Sequence, residues 1–247
     1  MTTRFVGWDL TDPFARAPRP VDKAVLDAKG HVRFSQRVWP RAEARHGLDP
    51  DALREAFPVG PGDVVVVDGP QALANPGTRV RDAERRLRAP GRTPDVLPLP
   101  GPPFAGFVRG SVLLFAALRG RAGVPMLDLD TPEPSRARLF EAFPGATWRT
   151  LAVEKLGRKA TPEGRARRQA LLEAKGLRFV DGGTCTHDQL DATVCAWLGW
   201  LTRTRPGDIT AVGLPLTQDA DGTLREGRIL GVPRTSGCVP SRRARKG

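Results

Sequence analysis

Two short stretches end an apolar run on a carboxylate. One is FVGWDL at residues 5–10, with Asp9. The other is DVVVVDGP at residues 63–70, with Asp68. Two acids close together repel, and one keeps its proton unless a cation sits between them. Oxygen ligands of this kind suit a hard divalent ion such as Mg²⁺ or Mn²⁺. A third acid, Asp191, lies in HDQLDATVCA at residues 187–196. It stands beyond the first turn of a helix, at the edge of an apolar stripe formed by Leu190, Val194, Trp197, Leu198 and Leu201. Its neighbour Asp188 has an ordinary explanation: Thr186 and Gln189 form a capping box, and the helix dipole favours an acid in the first turn. His187 is one turn before Asp191, a polar neighbour or a partner that orients it. Glu141, in FEAFPGA, is the fourth candidate; an exposed strand-end acid and a functional acid are both open there. Asp12 opens a common turn in TDP and needs no chemistry. Such a constellation could hold two ions that activate water and stabilise a leaving oxygen.

These acids need elements to position them. Residues 3–10, 23–30 and 31–40 read as three strands, the last two joined by a tight turn at Lys29-Gly30. Residues 49–57 read as a helix capped by Asp49 and opened by Pro50. The β-branched run at 63–67 is a strand covered on both faces. It arrives through a helix, so it can lie parallel to the first strand and bring Asp68 to the same sheet edge as Asp9. A short helix at 83–88, a helix at about 108–120, a strand within 138–151, helices at 161–176 and 186–207 and a late strand at 224–233 complete the reading. Residues 89–106, APGRTPDVLPLPGPPFAG, are too rich in proline and glycine for regular structure and form a long loop. The expectation is an α/β fold with a mixed sheet: three antiparallel strands, then a helix and a parallel strand, flanked by helices.

The chain has 247 residues and 40% apolar content, enough for a substantial core. No apolar run approaches the length of a membrane span, and residues 1–10 do not read as a secretory leader. Three cysteines, Cys185, Cys195 and Cys238, are sparse and odd in number, which points to a reducing, cytoplasmic setting. Their spacing with His187 is not that of structural zinc. The net charge of +12 has two readings. It suits a partner rich in phosphate, such as nucleic acid. It also suits the arginine, proline, glycine and alanine bias of a GC-rich genome. Aromatic content is 6% and tyrosine is absent, so no base-stacking platform stands out. No nucleotide-binding GxxxxGK[ST] loop, GxSxG elbow or HExxH helix occurs.

The stretches GWDL (7–10), VVVDGPQ (65–71), RDAERRLR (81–88), FEAFPGATW (140–148), KATPEGRARRQALL (159–172) and HDQLDATVCA (187–196), in this order, resemble the DUF429 family. That family is described as predicted nucleases of the ribonuclease H-like fold. The resemblance implies one ribonuclease H-like domain over residues 1–235, with an insertion at about 89–106 and a basic, flexible tail at 236–247. It implies that Asp9, Asp68, Glu141 and Asp191 are the acidic positions. Asp9 would bridge two Mg²⁺ or Mn²⁺ ions, Asp68 and Asp191 would each complete one site, and Glu141 would be an outer ligand or position water. The expected activity is metal-dependent hydrolysis of nucleic acid, with Arg81, Arg85 and Arg88 holding substrate phosphates. For any one of these arginines a solvated helix face competes, with Glu84 and Arg88 as an i,i+4 pair. A non-catalytic scaffold that binds nucleic acid or a protein partner is the alternative. The segment LTDPFARAPRP after Asp9 lacks the glycine-rich hairpin of the related sugar-kinase and actin-like ATPases, which sets phosphotransfer below hydrolysis.

Overall fold

The structure, a computed structural model, describes residues 3–42, 47–120, 137–152 and 154–233. In chain order the elements are β1 (Phe5–Asp9), β2 (Val21–Leu26), β3 (His31–Arg37), α1 (Pro50–Ala56), β4 (Val64–Asp68), α2 (Asp82–Leu87), α3 (Ala105–Arg119), β5 (Arg138–Ala142), α4 (Pro144–Leu151), α5 (Pro162–Glu173), β6 (Arg178–Phe179), α6 (His187–Thr204), β7 (Thr210–Val212), β8 (Leu216–Gln218), β9 (Leu224–Glu226) and β10 (Ile229–Gly231). Eight strands form a mixed sheet in the order β6-β3-β2-β1-β4-β5-β10-β7, and β8 pairs with β9 apart from it. As expected, β1, β2 and β3 are antiparallel neighbours, and β4 lies parallel to β1. β5 then lies parallel to β4, and β10 parallel to β5. The basic tail expected at 236–247, with Cys238, falls outside the described residues. No described helix is long and apolar enough to cross a membrane.

Side chains alternate between the two faces of each strand. Phe5, Ala24, Leu26, Val64, Val66, Phe140 and Ala142 face α6, in a core that also takes Trp148 of α4 and Leu172 of α5. Val6, Trp8, Val21, Val65, Val67 and Leu139 face the other way, against Leu53 and Phe57 around α1 and Leu114, Phe115 and Leu118 of α3. Both faces are covered, which is why β4 reads as an unbroken valine run. Fully burying such a side chain contributes about 1.5–3 kcal/mol.

α6 begins where the sequence signals it. The Thr186 hydroxyl accepts from Gln189 N at 3.1 Å, and Thr186 N donates to the Gln189 side chain at 2.9 Å. The helix comes down onto β1 because Gly7 has no side chain. A Cβ there would overlap the Ala192 carbonyl and sit 2.5 Å from Ala196 N. α4 has no counterpart among the expected elements. Pro144 opens it directly after β5, at the helix position where a missing N–H costs nothing.

The proline-rich stretch at 89–106 holds no regular element before Ala105. It is nevertheless fastened. Thr93, fully buried, donates from its backbone N to Glu84 at 2.9 Å and from its hydroxyl to the same carboxylate. Ala74 N donates to Pro94 O at 3.0 Å, and Arg109 donates to Pro98 O at 3.1 Å.

Candidate functional site

The β1–β4 register pairs Asp9 with Asp68, and the β1–β2 register pairs Asp9 with Asp22. Partners in register share a face. Asp22, Asp9 and Asp68 therefore form a row across three strands, on the side facing α6. Asp9 is buried, and Asp68 is half-buried. Both acids line the same pocket. Burial, then the charges of Asp68 and Asp191, push the Asp9 carboxyl well above the usual range. Burial, then Asp191, pushes Asp68 up to about 7, although Asp9 and Lys159 pull it down. Asp22 is also pushed up, first by burial, while its bond from Gln36 at 3.3 Å opposes the change.

α6 brings Asp188 and Asp191 over this row, three residues apart on one helix face. Asp191 is 5% exposed and accepts from Trp148 Nε1 at 2.6 Å and Lys159 Nζ at 3.2 Å. Asp188 adds its charge to the upward push on Asp9. It also pairs with Arg19 at 3.1 Å and His187 Nε2 at 2.9 Å. So His187 orients Asp188 rather than Asp191. Asp188 belongs to the cluster as well as to the helix cap. Its spacing from Asp191 was the available signal. Lys159 and Trp148 gave none, because nothing local ties either to Asp191. Asp12 accepts from Phe14 N at 2.8 Å, as a turn aspartate does.

Glu141 is placed differently. In the β4–β5 register it pairs with Val67, while Ala142 pairs with Asp68. The one-residue offset puts Glu141 on the opposite face of the sheet from Asp9 and Asp68. There its two oxygens accept from both terminal nitrogens of Arg81, one bond at 2.7 Å, and from Gln71 N at 3.0 Å. Arg81 is 1% exposed and also pairs with Glu84 at 3.0 Å. Burial works against its charge, and the two glutamates outweigh that cost. The expectation that Arg81 grips substrate phosphate is corrected: its guanidinium is spent on Glu141 and Glu84. Likewise both Glu141 oxygens are spoken for, so Glu141 braces the sheet and is not an open ligand. Arg85 reaches Asp82 at 2.7 Å on the surface. Arg81 and Glu141 nonetheless line the pocket that holds Asp9 and Asp68, and Arg88 lines a second cleft beside Asp68 and Asp191.

The cluster opens on two sides. A pocket of about 410 Å³ is lined by Asp9, Asp68, Asp188 and Lys159, with Phe104 and Phe107 and with the buried Arg81, Glu84 and Glu141. A cleft of about 670 Å³ is lined by Asp68, Asp191, Lys159, Lys155, Arg88 and Arg168. The all-oxygen donor set at Asp9 and Asp68 has the chemistry of a hard divalent ion, whose charge would offset the repulsion between the two acids. Asp188 lines the same pocket as that pair. Yet among the described residues no three or more acid, histidine or cysteine side chains already stand in a metal-holding arrangement. Asp191 would join such a site only after exchanging Lys159. The residues therefore fit one ion at Asp9 and Asp68, and they do not fit Glu141 as a ligand.

No curated protein and no solved structure matches the chain. A family model described as "Protein of unknown function (DUF429)" matches residues 51–213, which takes in Asp68, Glu141, Lys159, Asp188 and Asp191 and leaves Asp9 outside. With more than half of its length matched, the chain belongs to the DUF429 family.

Proposed function

We propose that the protein is a divalent-metal-dependent nuclease that hydrolyses phosphodiester bonds at the Asp9–Asp68 pair. One observation carries this reading: two carboxylates in register on adjacent parallel strands, lining one pocket with a further acid from α6. The order β3-β2-β1-β4-β5, with acids on β1, β4 and the last long helix, supports a ribonuclease H-like architecture. Bound Mg²⁺ or Mn²⁺ would supply positive charge to the phosphate oxygens and lower the pKa of a bound water. Asp9 and Asp68 would hold it. Arg19 and His187 keep Asp188 turned to Asp9. Trp148 keeps Asp191 in place while Lys159, whose side chain is 55% exposed, exchanges its carboxylate for a substrate phosphate.

A second reading, a scaffold that binds nucleic acid without cutting it, is favoured by the Lys159–Asp191 pair, which already neutralises one acid. Labelled single-stranded and duplex DNA and RNA, incubated with Mg²⁺ or Mn²⁺, separate the two. The nuclease reading expects metal-dependent cleavage that Asp68→Asn abolishes while binding survives. Binding without cleavage by the wild type, across both metals and all four substrates, leaves the scaffold.

A further inference from the structure

The pocket and the cleft meet along one line. Asp68, Pro90, Phe143 and Lys159 line both. On one side the walls include Phe104 and Phe107 among charged groups. Phe104 is 50% exposed and lines the pocket with the acids. Its backbone is left-handed, at φ 64°, a conformation that costs a bulky residue energy and persists only when its surroundings impose it. Here α3 imposes it: Phe104 O accepts from Val108 N at 2.9 Å, the first turn of that helix. Gly91 lies beside the ring, with room for a Cβ that would stand 3.9 Å from the Phe104 Cβ, Cγ and Cδ1. The loop bearing Gly91 is fastened through Thr93 to Glu84. An exposed phenyl ring thus stands beside a charged site on a fixed backbone.

On the other side the walls are cationic. Arg168 is anchored by its bonds to Gly157 O at 3.1 Å and Gly164 O at 2.8 Å. Arg88 and Lys155 are exposed and form no ion pair among the described residues. The acid Glu154 on this rim pairs with Arg167 at 3.7 Å. A ligand that spans both sides must carry a flat apolar group, then an anion at Lys159, then further anions. An unpaired nucleic-acid strand has that order of groups. A base within a duplex cannot offer its face to Phe104, because its neighbours cover it.

We propose that the protein binds single-stranded nucleic acid, with one nucleobase in the pocket against Phe104 and the following phosphates along Lys159, Lys155 and Arg88. The proposal rests on the nucleic-acid reading above and adds the strandedness and the polarity of the site. Stacking on one aromatic ring is worth about tenfold in affinity. Phosphate contacts weaken binding uniformly when lost and reduce its salt dependence.

The test is fluorescence anisotropy without divalent metal, so that cleavage does not intrude. The probes are a fluorescein-labelled thymidine strand of about 12 nucleotides, the same strand with abasic sugars throughout, and a blunt duplex. The wild type should bind the thymidine strand about tenfold more tightly than the abasic strand, and the duplex more weakly than the thymidine strand. Phe104→Ala should lose that advantage, and Phe104→Trp should keep it. Lys155→Gln with Arg88→Gln should weaken both strands alike and flatten the salt dependence. Equal affinity for thymidine and abasic strands, an unaltered affinity in Phe104→Ala, or tighter binding of the duplex overturns the proposal. If Phe104-dependent binding is found and no metal gives cleavage, the strand site stands and hydrolysis falls. If cleavage is found with no role for Phe104, hydrolysis stands and the strand site falls. No binding of any strand at low salt overturns the strand site, and the cleavage assay with Mg²⁺ or Mn²⁺ decides hydrolysis separately.

Discussion

Replacing Asp68 with Asn should make the metal-free protein more stable at alkaline pH. An ordinary aspartate titrates near 3.8, and Asp68 is pushed up to about 7, by burial first and Asp191 next. The folded state therefore holds this proton more tightly than the unfolded chain does. A carboxyl raised in this way stabilises the fold fully only below about pH 4. That contribution is lost as pH climbs from about 4 towards about 7, where the folded group ionises. At 1.36 kcal/mol for each pH unit between the two values, holding Asp68 charged at pH 8 costs about 2–4 kcal/mol. The lower end allows for solvent reaching a half-buried side chain. Asn keeps the shape and can donate to Asp9 with no charge of its own. Urea unfolding at several pH values between about 5 and about 8, in the presence of a chelator, reads the difference directly. The wild type should lose stability along that range. Asp68→Asn should be flatter and more stable than the wild type at the upper end. A variant less stable than the wild type at pH 8, or one with the same slope, would show that Asp9 and Asp68 do not burden the fold and that the argument for a cation between them is unsound.

Mn²⁺ added at pH 8 should raise the unfolding temperature of the wild type by linkage and leave Asp68→Asn where it was; an equal rise in both places the ion elsewhere. Arg81→Met should cost about 3–5 kcal/mol, because it leaves Glu141 and Glu84 buried without their cation. Calorimetry should see the melting temperature fall by roughly 10 °C, and a fall near zero would make Glu141 a free acid again. Gly7→Ala should abolish folding or displace α6, since its Cβ would overlap the backbone at Ala192. A normally folded Gly7→Ala, seen by circular dichroism and an unchanged melt, would mean that α6 does not seat on β1 as described.

Much of the scaffold is written locally. The valine run of β4, the Thr186–Gln189 capping box and the prolines at the starts of α1 and α5 each act within a few residues, so their elements can be read along the chain. The meeting of Asp9 with Asp68 was also legible, because a helical crossover makes β1 and β4 parallel and both acids end their strands. Whether Glu141 joined them was not. That depended on which alternate residue of β5 faced α6, and a shift of one residue reverses the answer. Lys159, Trp148 and Asp22 reach the site from separate parts of the chain, and Arg81 meets Glu141 across 60 positions. Sequence determined which residues end strands and cap helices, since those choices rest on local backbone chemistry. Only the packed sheet and helices decided which charges lie within reach of one another, because electrostatic pairing depends on distance in space, and separation along the chain says little about it.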